Sequence, residues 1–367
     1  MKRVFVRLWL GVNLFLALLL LLSIFSVRIN PSENWIFAFV GMAFPFLFVI
    51  NLLLAISWLV FRKWFFIISF ICVLAGWNHA GKYLQIRIKK PVAEVEEKSF
   101  KLLTYNVRLF TYYEWQADDG TREKIISFVL KEDPDILCFQ EFITLPGTGS
   151  DLDDLKKKLV NLPYLHVFYT SVVPGRINFG MATFSKYPII RKGEIDFEES
   201  LNGSIYTDIA YSGDTVRIFN CHLQSIKLDN DYRDVVDSLI FNYSDRQLDE
   251  IRDISLRMKD AFVHRANQVD DLEALAMTSP YPVIICGDFN DTPVSYTYKR
   301  LSEGMKDAFV ESGSGFGTTY RGLFPYMRID YVLYEDAFKL HGMRIDKVDW
   351  SDHYPVVAEF SFARNQN

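Results

Sequence analysis

Pro-Val-Ile-Ile-Cys-Gly-Asp-Phe-Asn-Asp-Thr-Pro, residues 282–293, is the stretch on which the fold turns. Its first half is an apolar, β-branched run of strand length, closed by Gly287. Asp288 and Asn290 then set a carboxylate and an amide just past the strand's C-terminal edge, where open α/β folds place their sites. On its N-terminal side lies a long helical segment, about 245–278, with Leu248, Ile251, Ile254, Met258, Ala261 and Val269 on one apolar face.

The same texture extends outward. Strand-like runs occupy 101–107, 135–140, 165–171, 181–185, 205–211, 215–221, 329–334 and 355–362, with helical segments at 121–132 and 151–161. Tyr211-Ser212-Gly213-Asp214-Thr215 reads as a hairpin turn. Strands and helices mixed over this length predict one α/β domain. Polar residues gather at the strand ends in four further blocks. These are Thr104–Arg108 (TYNVR), Gln140-Glu141, Asn220–Leu223 (NCHL), and the pair Arg328–Tyr331 (RIDY) with Ser351–Pro355 (SDHYP). Glu141, Asp352, Asn106 and Asn290 supply hard oxygen donors suited to Mg²⁺ or Mn²⁺. His222 and His353 with the spare carboxylates suit proton transfer and phosphate contact. The same carboxylates after strands would also serve as helix caps, a role expected of Asp291.

Composition removes other classes. With 31 Phe, 19 Tyr and 7 Trp the chain can bury far too much apolar surface to be disordered. Its 4 cysteines stand in no CxxC or Cys/His spacing, so neither a disulfide scaffold nor a zinc site is expected. Cys72, Cys138, Cys221 and Cys286 read as buried hydrophobes.

Three charge-free apolar stretches open the chain, Leu8–Val27, Trp35–Phe61 and Trp64–Gly81, each near the ~20 residues that cross a bilayer core. They predict three transmembrane helices, with Trp35, Trp64 and Trp77 near span ends. Basic residues flank both sides equally: Lys2, Arg3, Arg7, Arg62 and Lys63 against Arg28, Lys82, Arg87, Lys89 and Lys90. The first helix then decides, placing the N-terminus inside and residues beyond about 90 outside. The chain divides into a transmembrane region at 1–81, a stalk at 82–98 and a domain at 99–367. Residues 1–98 hold 11 Lys+Arg against 4 Asp+Glu, the remainder 29 against 41.

At these blocks the chain resembles the endonuclease/exonuclease/phosphatase superfamily, which includes pancreatic-type DNases, abasic-site endonucleases, inositol polyphosphate 5-phosphatases and sphingomyelinases. All five blocks occur in the family's order over about residues 100–363. The resemblance, to a membrane-anchored bacterial type, implies a four-layer α/β sandwich of two packed mixed β-sheets flanked by helices. It implies Glu141, Asn106 and Asp352 around a metal, and Asp288 activating the attacking water with Asn290 orienting it. It implies His353 on the scissile phosphate, Asp330 fixing its tautomer, and His222 binding the phosphate and helping to protonate the leaving oxygen. Arg265 and Gln268 would form a structural pair, and Phe110–Trp115 with Leu223–Tyr243 would shape substrate choice.

The expected activity is a membrane-tethered, divalent-metal-dependent phosphoesterase acting on a small or lipid-linked phosphoester, with the lipid bilayer as partner. A DNA-directed nuclease is the alternative, disfavoured because backbone phosphates call for Lys and Arg. A non-catalytic binding module is opposed by the complete residue set. A transporter is opposed by apolar stretches holding only Asn13, Asn51, Asn78 and His79 as notable polar groups.

Overall fold

The computed structural model describes residues 2–87, 98–111, 120–147, 151–197, 200–226, 245–322 and 327–363. Most of the expected stalk, and most of the two loops expected to shape substrate choice, lie outside them. The strands in chain order are β1 (Leu84–Gln85), β2 (Phe100–Asn106), β3 (Ile136–Thr144), β4 (Tyr164–Val173), β5 (Ile177–Ser185), β6 (Ile189–Asp196) and β7 (Gly203–Tyr211). They continue as β8 (Asp214–His222), β9 (Val283–Asp288), β10 (Lys306–Asp307), β11 (Gly315–Phe316), β12 (Asp330–Tyr334), β13 (Phe338–Ile345) and β14 (Val356–Phe362).

Two compact units form, and neither is continuous in sequence. The larger comprises Gln85–Ser225, Asp270–Asn290 and Leu301–Asn367. It holds two six-stranded mixed sheets, ordered β10-β12-β9-β8-β7-β6 and β13-β14-β2-β3-β5-β4. Side chains alternate across each strand, so β2 sends Phe100 and Leu102 to one core and Leu103 and Tyr105 to another. The first core lies between the sheets, where Ile136, Cys138 and Val356 meet Ile218, Ile284 and Val332. In the second, Leu137, Phe139 and Phe184 meet Ile125, Ile126 and Val129 of the helix Thr121–Glu132 and Leu155 of the helix Leu152–Lys158. The chain is thus an α/β fold of two mixed sheets flanked by helices, as expected. Cys72, Cys138, Cys221 and Cys286 are free, buried thiols.

The smaller unit comprises Met1–Leu84, Ile226–Val269 and Asp291–Arg300. Here the expectation of three transmembrane helices is corrected. Among the described residues only Arg3–Ser26, 24 residues long with an 18-residue stretch of mean hydropathy 2.5, is by itself long and apolar enough to cross a bilayer. The second stretch is broken into Ile36–Met42 and Phe44–Val60, bent by 57°. Pro45 is the cause, because in a continuous helix its ring would meet the carbonyl of Gly41 and its missing N–H would leave that carbonyl unpaired. The third stretch forms the helix Phe66–Ala80, whose 15 residues rise about 22 Å, short of the ~30 Å core. Among the described residues one helix is therefore long enough to cross, or two if the bent pair counts as one span.

Buried amides tie these helices together. Asn13 donates to Ser69 Oγ and accepts from Trp58 Nε1 at 2.7 Å, while Ser69 Oγ donates to Asn51 Oδ1 at 3.1 Å. Asn51 in turn donates to the carbonyls of Leu16 and Leu47 at 3.0 and 2.9 Å. Such pairing removes the cost of unsatisfied polar groups in an apolar setting.

Candidate active site

Register brings the expected residues together. In one sheet β8 runs parallel to β9 with His222 opposite Asp288, and β12 runs antiparallel to β9 with Asp330 opposite Asp288. Three site residues therefore stand in one row across three adjacent strands. In the other sheet β2 and β3 run parallel with Asn106 opposite Gln140, so Glu141 follows immediately. Gly287 is required where β9 meets β8: at φ +121° it adopts a conformation closed to other residues, and a Cβ there would lie 2.1 Å from Cys221 O. Glu141 and Asn290 have left-handed backbones, φ 48° and 52°. Such strain in non-glycine residues persists only where surrounding structure enforces it, and it clusters at functional sites. At Glu141 it coincides with a register shift in the β3–β5 ladder between Phe139 and Phe142.

Asp288 is the centre of the constellation. Its Oδ1 accepts from the Asn290 backbone N–H at 2.8 Å, and its Oδ2 accepts from Asn106 Nδ2 at 3.0 Å. His353 Nε2 lies 3.6 Å and His222 Nε2 3.9 Å from the same Oδ2. Asn106 Nδ2 also donates to Glu141 Oε1 at 3.2 Å, and His222 Nε2 is 3.7 Å from that oxygen. His353 Nδ1 donates to Asp330, 2.9 Å from Oδ2 and 3.1 Å from Oδ1. Asn290 Nδ2 donates to Leu223 O at 2.9 Å, fixing its amide beside Asp288. Asp352 stands at the open side, with Arg108 Nε 3.5 Å from its Oδ2.

The electrostatics follow from burial and crowding. Burial pushes the Asp288 carboxyl up, the charge on His353 pulls against this and Asp330 adds to it, leaving it at about 7. Burial and the Asp352 carboxylate raise Glu141. For His353 burial favours the neutral ring, but Asp330 and Asp288 outweigh it and hold the pKa well above the ordinary value. His222 goes the other way: burial, then the charge on His353, pushes it down to about 3. The two histidines are therefore a cationic and a neutral imidazole, set apart by their neighbours.

The donor set fits a hard divalent cation. Glu141 and Asp288 are raised by burial and by like-charged neighbours, a crowding that a bound cation relieves. The oxygens of Glu141 and Asp352 are the type Mg²⁺ takes. Asp288, Asp330 and His353 also present ligand atoms within 4.8 Å of one another. Asn106 stands between the two carboxylates. Its Oδ1 accepts from Arg108 N at 3.0 Å, and its amide nitrogen is the group that faces both carboxylates.

Several supporting residues had no individual role in the sequence reading. Ser351 Oγ donates to Asn106 O at 2.9 Å and accepts from the His353 N–H at 3.2 Å, joining the two halves of the site. Thr319 Oγ1 accepts from the Ile329 and Asp330 N–H groups, both at 3.0 Å, and Tyr320 stands edge-on to His353 with ring centroids 5.0 Å apart. Asn202 Nδ2 sits 3.0 Å from His222 Nε2. Only Ser351 lay within a legible block. Asn220, by contrast, is a core residue: it accepts from Gln140 Nε2 at 2.7 Å and donates to Ala182 O at 3.1 Å, tying the two sheets together below the site. Arg265 bonds Asp291 at 3.3 Å.

Known proteins agree with this architecture. The human Nocturnin catalytic domain, solved with a bound sulfate anion, superposes with a TM-score of 0.52 at 18% identity, covering 74% of this chain and 96% of that one. An endonuclease/exonuclease/phosphatase from Beutenbergia cavernae superposes with a TM-score of 0.52 at 16% identity, covering 72% of each chain. At such identities the likeness is one of fold. Comparison with curated proteins returned no match. A family model described as a domain of unknown function (DUF8431) matches residues 3–83. The model of the Endonuclease/Exonuclease/phosphatase family matches residues 103–353, so the chain belongs to that family.

Proposed function

We propose that the chain is a membrane-tethered, divalent-metal-dependent phosphoesterase whose substrate is a small or lipid-linked phosphoester. The observation that carries this reading is the convergence on Asp288 Oδ2, with Asn106 Nδ2 at 3.0 Å and the Nε2 atoms of His353 and His222 at 3.6 and 3.9 Å. A carboxylate pushed up to about 7 is matched to proton abstraction near neutral pH.

In this reading Asp288 takes a proton from water as the water oxygen bonds to phosphorus. Asn290 holds the Asp288 carboxylate through its backbone N–H and presents its side-chain amide beside it. His353, cationic and fixed by Asp330, donates from Nε2 to a non-bridging phosphoryl oxygen where negative charge develops. The ester P–O bond breaks opposite the incoming water, and the leaving oxygen takes a proton from a solvent water while Asp288 returns its proton to solvent, with neutral His222 as a hydrogen-bond donor to the phosphate. Glu141 and Asp352, with Asn106 if its amide turns, would hold a Mg²⁺ or Mn²⁺ ion, which when bound supplies further charge neutralisation at the phosphate.

The helix Arg3–Ser26 supports the tether. With the basic N-terminus inside, a single crossing by Arg3–Ser26 would place the catalytic residues outside the cytoplasm of a bacterial cell membrane. The acidic balance of residues 99–367 speaks against extended nucleic acid as substrate. The test is the full chain in detergent with Mg²⁺, assayed on a phosphodiester dye, DNA, sphingomyelin and inositol phosphates, beside Asp288→Ala. Turnover of the dye or of a small or lipid phosphoester, lost in the variant, supports the reading. Preferred, Asp288-dependent cleavage of DNA in ~0.15 M salt makes the protein a nuclease instead.

A further inference from the structure

The unit that contains the apolar helices also contains residues 291–300, the segment that follows directly on Asn290. Within that unit Val294 is buried, 1% exposed, in one cluster with Ala17, Leu20, Val27, Phe44, Leu47 and Cys72 of the N-terminal stretch. The approach is close enough to demand glycine: a Cβ on Gly41 would lie 2.8 Å from Val294 O and 2.5 Å from Ser26 Oγ. The segment is held along its length as well. Asn30 Nδ2 donates to Tyr296 Oη at 3.3 Å, and Lys82 Nζ stands 4.5 Å from the Tyr298 ring centre. At its start Asp291 accepts from Thr297 Oγ1 at 2.9 Å and from Arg265 Nε at 3.3 Å.

Nothing in hydrolysis requires an apolar valine four residues past the catalytic amide. Those four residues span at most ~14 Å of chain, and Asp291, the first of them, is itself anchored. Asn290 has the left-handed φ of 52°, a conformation that the residues on either side must enforce. Its N–H is what orients the Asp288 carboxylate, at 2.8 Å.

We infer that residues 291–298 are a strap by which the apolar helices position the catalytic loop, with Val294 seated among the helices and Gly41 admitting it, so that these helices set the Asp288–Asn290 geometry as well as tethering the chain. Val294 and Gly41 are positioning residues and touch no substrate. The inference rests on the hydrolytic reading for its consequence in turnover, but not for its structural content. Loss of the valine's contacts loosens the segment that holds Asp291, lets the Asn290 backbone relax from the left-handed region, and frees Asp288 Oδ1 from the Asn290 N–H while Asn106 still bonds Oδ2.

The test uses the full chain in lipid nanodiscs, as wild type, Val294→Ala, Val294→Ile, Gly41→Ala and Leu18→Ala. Leu18 lies on the same apolar helices but is 54% exposed, so it controls for general damage to them. Two readouts are taken: amide hydrogen exchange of peptides covering residues 284–293, and kcat and KM on bis(4-nitrophenyl) phosphate with Mg²⁺. Val294→Ala and Gly41→Ala should speed exchange of the 288–291 amides about tenfold or more while β2, β3 and β8 stay protected. In the same variants kcat should fall about tenfold with KM unchanged. Val294→Ile should restore both, and Leu18→Ala should match wild type. Unchanged exchange in Val294→Ala overturns the strap, and so does faster exchange without loss of kcat in an active enzyme. If wild type turns over no phosphoester while exchange responds as expected, the hydrolytic reading fails and the strap stands.

Discussion

Asp330→Asn separates two roles that the geometry allows for this residue. Asp330 accepts from His353 Nδ1 at 2.9 and 3.1 Å, is 4% exposed, and is held by backbone N–H bonds to Thr319 that the substitution leaves in place. Asparagine keeps an oxygen for Nδ1–H to reach, so the ring stays oriented and only the charge is lost. A hydrogen bond to a charged group contributes roughly 1.5–3 kcal/mol. At about 1.36 kcal/mol per tenfold, that corresponds to a fall in kcat of roughly 10- to 150-fold. His353→Ala removes the donor itself and should cost about 10²–10⁴-fold. The assay is steady-state hydrolysis of a phosphodiester dye by the full chain, titrated with Mg²⁺ for both variants. The expected outcome for Asp330→Asn is the smaller loss, with the Mg²⁺ concentration for half-activity unchanged. A loss as deep as that of His353→Ala, with the Mg²⁺ requirement raised tenfold or more, would refute the reasoning. It would make Asp330 a cation ligand, as its closeness to Asp288 and His353 permits.

Excess EDTA should abolish turnover and Mg²⁺ or Mn²⁺ restore it; Glu141→Ala should raise the metal concentration needed without lowering the melting temperature, and full activity in chelator would end the metal assignment. Gly287→Ala forces a Cβ to within 2.1 Å of Cys221 O and should cost about 3 kcal/mol or more. A fall in melting temperature of roughly 6 °C or more, read by calorimetry, would register this. Asp208→Ala leaves Arg217 charged and buried after losing contacts of 2.7 and 2.8 Å, a loss of about 3–5 kcal/mol that a paired Asp208→Leu, Arg217→Met chain should largely recover. A C-terminal alkaline phosphatase fusion should be active in a bacterial host and a green fluorescent protein fusion dark; the reverse pattern would turn the catalytic residues toward the cytoplasm.

The strands that sequence made legible are those buried on one or both faces. Val283–Asp288 and Phe100–Asn106 are runs of apolar residues because both faces are covered. Two of the strands passed over, Ile189–Asp196 (IIRKGEID) and Phe338–Ile345 (FKLHGMRI), are edge strands, whereas the edge strand Tyr164–Val173 stayed legible through its aromatic and β-branched residues. Edges carry charges and glycine that keep them from pairing with other chains, and those residues hide the strand pattern. Likewise Asn106, Glu141, His222, Asp288, Asn290, Asp330, Asp352 and His353 could be named in advance because each ends a strand or lies within a short polar block. Thr319 and Asn202 could not, since a lone polar residue on a loop looks the same whether or not it supports a site.

By itself the sequence determined the α/β class, the order of the polar blocks and an apolar N-terminal region, because these follow from periodicity and residue chemistry within a few positions of one another. Tertiary structure alone decided which blocks meet. Asp288 stands between His222 and Asp330 through strand register, and register depends on which strands pair across dozens of intervening residues. It also decided that one imidazole is cationic and the other neutral, since burial and the nearest carboxylates set that balance. It broke the second apolar stretch at Pro45, where hydropathy alone reads one continuous span. And it seated Val294 among helices more than two hundred residues earlier in the chain, a contact with no local signature because a buried valine carries no mark of what buries it.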